Sequence, residues 1–282
     1  MTDSSLKKMW IGGQAVDGDA GVAPLVSVNP ATGEVNYEVA AAGAKAADTA
    51  VRVADEAARD KKWRNMLPPA RAAILSRIAD GMERRSEELA RLQMIENGKV
   101  WRECQTQVKS AAATFRYYAA VCETTGSEVT PARGDYLSMS VYEPYGVVAA
   151  ITPWNSPMTM EAQKVAPALA AGNAVILKPS EITPSTGLLL AEIAQEAGLP
   201  PGILNVLPGT GQQVGAALVE HPRVRMVSFT GGTESGRRIA ETAARKLMPV
   251  ALELGGKSPH IVFNDAPVDS AVAALAGGIF EG

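Results

Sequence analysis

The sequence predicts an α/β fold, a Rossmann-like parallel sheet with helices on both faces. Two features predict it. GVVAAITPW, NAVILKPS, GILNVLP, VRMVSFTGG and PVALELGG are short, continuous apolar runs, each ending in Gly, Pro or a polar residue. Helical segments separate them at Pro157–Ala171, Pro184–Ala197, Gln212–His221 and Thr233–Leu247. Strands without alternation are covered on both faces, and in such sheets a ligand lies off the carboxyl ends of the strands. Asn155, Lys178, Gly209, Gly231 and Glu253 each end or follow one of these runs.

The first half builds up differently. In residues 1–40, MWIGGQAVDG carries Gly-Gly and Asp-Gly turn signals, and VSVNPATGEVNYEVA alternates, so short strands and turns are expected. Ala46–Arg59 is an alanine-rich helix. Pro68-Pro69 opens a further helix, with Ile74, Leu75, Ile78, Met82, Leu89, Leu92 and Ile95 at helical spacing and Asn97-Gly98 closing it. Val100–Cys122 reads as an amphipathic helix carrying Trp101, Val108, Phe115 and Tyr118 near one face. Gly126–Tyr145 alternates again and reads as an antiparallel hairpin.

Of the 282 residues, 46% are hydrophobic and 20% charged, ordinary for one large or two modest globular domains. A net charge of -3 gives no reason to expect nucleic acid or an anionic membrane as partner. No apolar run approaches the roughly 18 residues needed to span a bilayer, and MTDSSLKKMWIGGQ has no apolar core of signal-peptide length. Two cysteines and two histidines make neither a disulfide framework nor a zinc cluster. The cysteines fit a reducing cytoplasm. Cys104 and Cys122 read as packing residues, His221 as a helix-end residue and His260 as part of a strand.

Each candidate motif has two readings from the residues alone. FTGGTESG, Phe229–Gly236, is a strand, a Gly-rich turn and a helix start. It suits a pyrophosphate, because glycines admit close approach and a helix N-terminus offers N–H donors; it is equally a βα turn capped by Thr233. GTGQQVG, Gly209–Gly215, is similar to a dinucleotide fingerprint but its last glycine is one place late. Glu181 of KPSE can accept hydrogen bonds from ribose hydroxyls, which favours NAD, while Lys178 can pair with a 2′-phosphate; the alternative is a solvated loop with Glu181 capping the next helix. The Asn155 amide can donate to an oxyanion or cap the helix behind it, where Ser156 and Pro157 already supply signals. Glu253, in an apolar run before Gly255-Gly256, is a partly desolvated general base or a salt-bridge partner of Lys257.

Together ITPWNSP, AGNAVILKPSEITP, FTGGTESG and LELGGKSP, in this order and at these separations, resemble the aldehyde dehydrogenase superfamily, from NPATGEV to the GGIFEG end. The resemblance implies that Glu253 is the general base and Asn155 stabilises the oxyanion. It implies ribose contacts from Lys178 and Glu181 and a phosphate turn at Gly231, Gly232 and Thr233. Further cofactor contacts are implied at Thr152, Pro153, Trp154, Ser180, Gly211, Phe229, Thr230 and Leu254. Many relatives carry Ser where this chain has Gly232, so backbone donors would replace one hydroxyl. The implied cofactor is NAD, with NADP possible, and the implied substrate is a small-molecule aldehyde. In the mechanism the resemblance implies, a cysteine thiolate attacks the aldehyde, hydride passes to the nicotinamide, and water deprotonated by Glu253 hydrolyses the thioester.

The resemblance also divides the chain. Residues 1–125 and 146–252 form a discontinuous NAD-binding domain, 126–145 an oligomerisation hairpin, and 253–282 the start of a catalytic domain. For the full-length form the resemblance implies a homodimer or homotetramer. The nucleophilic cysteine is expected within about ten residues beyond Gly282, so the 282 residues read as a truncated enzyme, inactive alone, rather than a non-catalytic dinucleotide-binding module or a partner of a full-length homologue. The aldehyde itself is not specified.

Overall fold

In a computed structural model the described residues are 6–131 and 134–280. Met1–Ser5 of the strand-and-turn region, Ala132-Arg133 of the hairpin and Glu281-Gly282 of the GGIFEG end lie outside them. In chain order the elements are β1 (Met9–Ile11), β2 (Gln14–Val16), β3 (Leu25–Val28), β4 (Val35–Val39), α1 (Ala44–Arg59), α2 (Lys61–Arg64), α3 (Pro68–Arg84), α4 (Ser86–Asn97) and α5 (Trp101–Thr124). They continue with β5 (Val147–Ile151), α6 (Pro157–Ala170), β6 (Ala174–Lys178), α7 (Ser185–Glu196), β7 (Leu204–Val206), α8 (Ala216–Glu220), β8 (Val224–Thr230), α9 (Thr233–Arg245), β9 (Val250–Glu253) and α10 (Val268–Phe280).

The main sheet has seven strands in the order β2-β1-β7-β6-β5-β8-β9. β5 to β9 are parallel, as expected, and β1 joins antiparallel to β7. β3 and β4 form a separate antiparallel pair. β5, β6 and β7 are buried throughout, which is why they read as unbroken apolar runs. The core extends from these strands into α3, α5 and α6 through Phe115, Leu75, Ile78, Met82 and Leu169. Trp63 is also fully buried and its indole N–H donates to the Gly172 carbonyl at 2.8 Å, fixing the turn before β6.

Four expectations change. The helix from Pro68 to Asn97 is two helices, interrupted at Arg85. Glu87 and Glu88 in the first turn of α4 are N-terminal signals that outweigh the continuous apolar spacing. Secondly, β9 is exposed at alternate residues, not covered on both faces, because it is the edge strand next to β8. Thirdly, His260 lies in irregular chain, and Ile261, Val262 and Phe263 around it are exposed, with no pairing strand among the described residues.

Fourthly, among the described residues of 126–145 the hairpin shows one isolated antiparallel bridge, Val129 with Met139. Thr130 N–H donates to the Ser138 carbonyl at 3.0 Å and Ser140 N–H to the Glu128 carbonyl at 2.8 Å. Pro131 and Pro144 supply no N–H to extend the ladder. Tyr136, Leu137, Val141 and Tyr142 stand exposed on it.

Candidate active site

Register puts the motif residues on one edge of the sheet. Ile151 is opposite Lys178 on one side and Phe229 on the other, and Thr230 is opposite Glu253. The segments Thr152–Asn155, Lys178–Glu181, Gly231–Thr233 and Leu254-Gly255 therefore leave the sheet side by side. Gly211 belongs to the same edge beyond β7, where Gly211–Gly215 form one turn of π-helix before α8. Thr210 caps that turn by accepting from the Gln213 N–H at 3.2 Å, so the GTGQQVG match is a helix entry rather than a glycine phosphate loop.

The first segment combines a buried start with an open end. Thr152 is buried and its N–H donates to the Lys178 carbonyl at 3.1 Å. Pro153 is half-buried, and Trp154 and Asn155 are exposed. Asn155 does not cap α6. Ser156 occupies the capping position without a capping bond, and its hydroxyl accepts from Gln107 Nε2 at 3.3 Å.

At the end of β6, Lys178 is only 3% exposed. Its ammonium donates to Glu181 Oε2 at 3.1 Å and to the Pro179 carbonyl at 2.9 Å. Burial holds its pKa below the ordinary lysine range, with Glu181 opposing that shift. The two residues that sequence reasoning set against each other thus form one pair. Glu181 does not cap α7. The Ser185 N–H there donates to Glu96, and Ser180 Oγ accepts from the Ile182 N–H at 3.3 Å inside the loop.

After β8 the chain turns tightly. Gly231 N–H donates to the Glu253 carbonyl at 3.0 Å, and a Cβ at Gly231 would lie 2.5 Å from Phe229 Cζ. Gly232 occupies the capping position of α9 and Thr233 is its first helical residue, with no side-chain cap. The first N–H groups of a 13-residue helix are left facing the sheet edge, the donor set an anion requires. Leu254 packs against this turn, since a Cβ at Gly236 would lie 2.4 Å from Leu254 Cδ2. The Oγ1 atoms of Thr152 and Thr230 are buried here without partners.

Glu253 ends β9 with an exposed side chain, not the partly buried one expected, because the edge strand alternates. No ion pair joins it to Lys257 among the described residues. Its negative charge acts instead on Lys164, a residue that sequence reasoning did not single out. Lys164 is buried in α6 and donates to Ser228 Oγ at 3.2 Å. Burial pushes its pKa down to about 8, and Glu253 partly offsets this. The available signal was a lone lysine among Ala162, Val165, Ala166 and Leu169.

Both cysteines are buried, as expected. Cys104 Sγ faces the Lys99 carbonyl at 3.8 Å, and Cys122 Sγ faces the Pro68 and Ala170 carbonyls at 3.5 and 3.3 Å. Burial raises the Cys104 pKa, the direction opposite to an activated thiol. His221 ends α8, with Nδ1 accepting from the Arg223 N–H and Nε2 3.3 Å from Asp48. Among the described residues there is no group of His, Cys, Asp and Glu able to hold a metal.

Residues 16–282 match the sequence model of the aldehyde dehydrogenase family. The chain belongs to the aldehyde dehydrogenase family. It is 40% identical over 274 residues to DhaS of Bacillus subtilis (strain 168), covering 97% of this chain and 55% of DhaS. The NAD+ complex of aldehyde dehydrogenase from Bacillus cereus superposes with a TM-score of 0.95 at 37% identity, covering 98% of this chain and 56% of that one. An NADP-dependent enzyme of E. coli superposes with a TM-score of 0.94 at 37% identity, covering 98% of this chain and 57% of that one. This aldehyde dehydrogenase chain spans about half the length of these relatives. No helix among its described residues is long and apolar enough to cross a membrane.

Proposed function

We propose that these 282 residues supply the cofactor and general-base side of an NAD(P)-dependent aldehyde oxidation. The observation that carries this is the common edge shared by the ends of β5, β6, β8 and β9, with the uncapped α9 N-terminus at its centre. The residues present fit a dinucleotide. Glu181 accepts ribose hydroxyls with Lys178 beside it, and the N–H groups at Gly232 and Thr233 meet the pyrophosphate. Thr152, Pro153, Trp154, Ser180, Gly211, Phe229, Thr230, Gly231 and Leu254 complete the walls. When bound, the nicotinamide accepts hydride. Asn155 donates to the aldehyde oxygen as it gains charge, and Glu253 takes a proton from the hydrolytic water.

The carboxylate of Glu181 favours NAD over NADP, since a 2′-phosphate would meet like charge. The substrate is a small aldehyde whose pocket draws on α5 and the Trp154–Met160 segment. Residues 1–125 and 146–252 act as the cofactor domain and 253–282 open the catalytic domain. The exposed apolar side chains of 126–145 serve a homodimer or homotetramer contact. Within these 282 residues both thiols are packing groups. The chain alone is therefore expected to bind cofactor without oxidising aldehyde.

The test is calorimetric titration of the 282-residue chain with NAD+ and NADP+. Tighter binding of NAD+, weakened by Glu181→Ala with the preference narrowed, supports the reading. Absence of dinucleotide binding, or aldehyde turnover lost on replacing Cys104 or Cys122, overturns it.

A further inference from the structure

Two carboxyls lie wholly inside the molecule and meet the same helix end. Glu96, at the end of α4, accepts from the Ser185 N–H at 3.3 and 3.4 Å through its two oxygens, and from the Tyr37 hydroxyl at 2.9 Å. Glu161, in α6, accepts from the Thr186 hydroxyl at 3.1 Å with Oε1, while its Oε2 is buried without a partner. Ser185 and Thr186 are the first two residues of α7, so this helix begins between the carboxyls. Gly187 makes room for the approach, because a Cβ there would lie 3.2 Å from Glu161 Oε1 and 3.0 Å from Leu177 Cδ2.

The helix end thus held is tied to the cofactor loop. Only the loop 179–184 separates Lys178 from Ser185, and it is internally braced. Thr183 N–H donates to the Ser180 carbonyl at 3.2 Å, and Ile182 N–H to Ser180 Oγ at 3.3 Å. A braced loop transmits a shift of the first turn of α7 to the Lys178–Glu181 pair.

We propose that Glu96 and Glu161 are positioning residues for the dinucleotide site, clamping the start of α7 while Glu161 is protonated and loosening the Lys178–Glu181 loop when it ionises. This rests on the dinucleotide reading above. Glu96 faces the Tyr37 hydroxyl from β4 and Ser185 from α7. Lys7, which sits over the Tyr37 ring at 4.4 Å from its centroid, is the cation acting on it. Glu161 faces the neutral Thr186 hydroxyl and feels the charge of Glu96. A second negative charge beside an unpartnered, desolvated oxygen is costly, and the available relief is separation of α6, α4 and the start of α7. The direction agrees with burial, which raises Glu96 to about 7 and Glu161 to about 8.

The test measures NAD+ affinity of the 282-residue chain by calorimetry between pH 6 and pH 9, where NAD+ itself does not titrate. Affinity is expected to fall as pH rises, by about fivefold or more, the usual lower bound for coupling between sites. Glu161→Gln keeps an acceptor for Thr186 and cannot ionise, so its affinity is expected to stay near the acid-side value throughout. Should that variant fold poorly, Thr186→Val serves instead, and it is expected to weaken NAD+ at pH 6 toward the wild-type value at pH 9. By reciprocity, saturating NAD+ should raise the midpoint of the Glu161 carboxyl carbon followed by NMR. A pH dependence unchanged in Glu161→Gln, as it would be if Lys178 alone caused it, overturns the clamp and leaves dinucleotide binding standing. Absence of NAD+ binding at any pH overturns both.

Discussion

Lys164 and Ser228 join α6 to β8 beneath the candidate site, with the ammonium 3.2 Å from the hydroxyl oxygen. The strand residue is two places before Thr230, which is paired to Glu253 in the neighbouring strand. A buried lysine, a hydroxyl and a carboxylate therefore share one corner of the sheet edge.

Lys164 titrates below its ordinary value, which fixes the sign of a stability effect. With a native pKa near 8 and an unfolded value near 10.5, the unfolded chain binds more protons between these pH values. Stability should therefore rise as pH climbs from about 8 to about 10.5. Lys164→Met should remove that rise and increase stability at pH 7 by ~1–3 kcal/mol, since the desolvated charge is gone. Denaturant unfolding at pH 7 and pH 10 checks this. Equal pH slopes in both proteins would count against it.

Glu161 shifts the other way and gives the opposite slope. Its unfolded carboxyl ionises near 4.5 while the native one stays protonated to about 8. This contribution is fully present below pH 4.5 and is lost as pH rises toward 8. Glu161→Gln should be at least as stable as wild type at pH 8.5, with a gain of ~2 kcal/mol, and close to it at pH 5. Thermal unfolding at the two pH values decides; a variant less stable at pH 8.5 contradicts the assignment.

Much of this arrangement was legible in the sequence, and the exceptions share a cause. Strand ends are written in local code: Gly231 is glycine because Phe229 leaves no room for a Cβ, and Pro157 sits in the first turn of α6. Such residues announce a turn whatever surrounds them. Glu96 and Glu161 carry no local signal, and Lys164 only its apolar neighbours, since a charged residue on a helix reads as solvent-facing until the packed partner is known. The broken helix at Arg85 had its signal in Glu87 and Glu88, but apolar spacing continued across it. The exposure of Glu253 follows from β9 being at the sheet edge, a fact of strand order rather than of the run VALE. Whether Asn155 or Ser156 caps α6 had two local answers, and neither side chain does so.

Gly231 provides a test of the tight turn. An alanine Cβ would fall 2.5 Å from the Phe229 ring, and that ring is buried and cannot swing freely. Gly231→Ala should cost ~1–3 kcal/mol in stability, the usual range for overpacking. It should also weaken NAD+ binding, because the α9 N-terminus follows directly. Chemical denaturation and calorimetry read the two effects separately. A variant with wild-type stability would show that the turn relaxes without strain.

The two thiols give the most direct check on how cysteine is used here. Cys104 sits inside α5 at zero exposure, and Cys122, nearer the end of that helix, is also buried. A nucleophilic thiol needs thiolate character and access, and Cys104 has neither: burial raises its pKa and encloses the sulfur, which faces the Lys99 carbonyl at 3.8 Å. Cys122 is closed off by the Pro68 and Ala170 carbonyls, which accept from its S–H. A thiol-specific chromogenic disulfide should therefore react with much less than one group per native chain within minutes, and with both cysteines after unfolding in guanidinium. Cys104→Ala and Cys122→Ala should each retain NAD+ affinity within about twofold, because neither sulfur borders the sheet edge, while losing ~1 kcal/mol or more of stability to the cavity left behind. Rapid stoichiometric labelling of a folded chain, blocked by NAD+, would place a reactive thiol at the cofactor site and reverse this assignment.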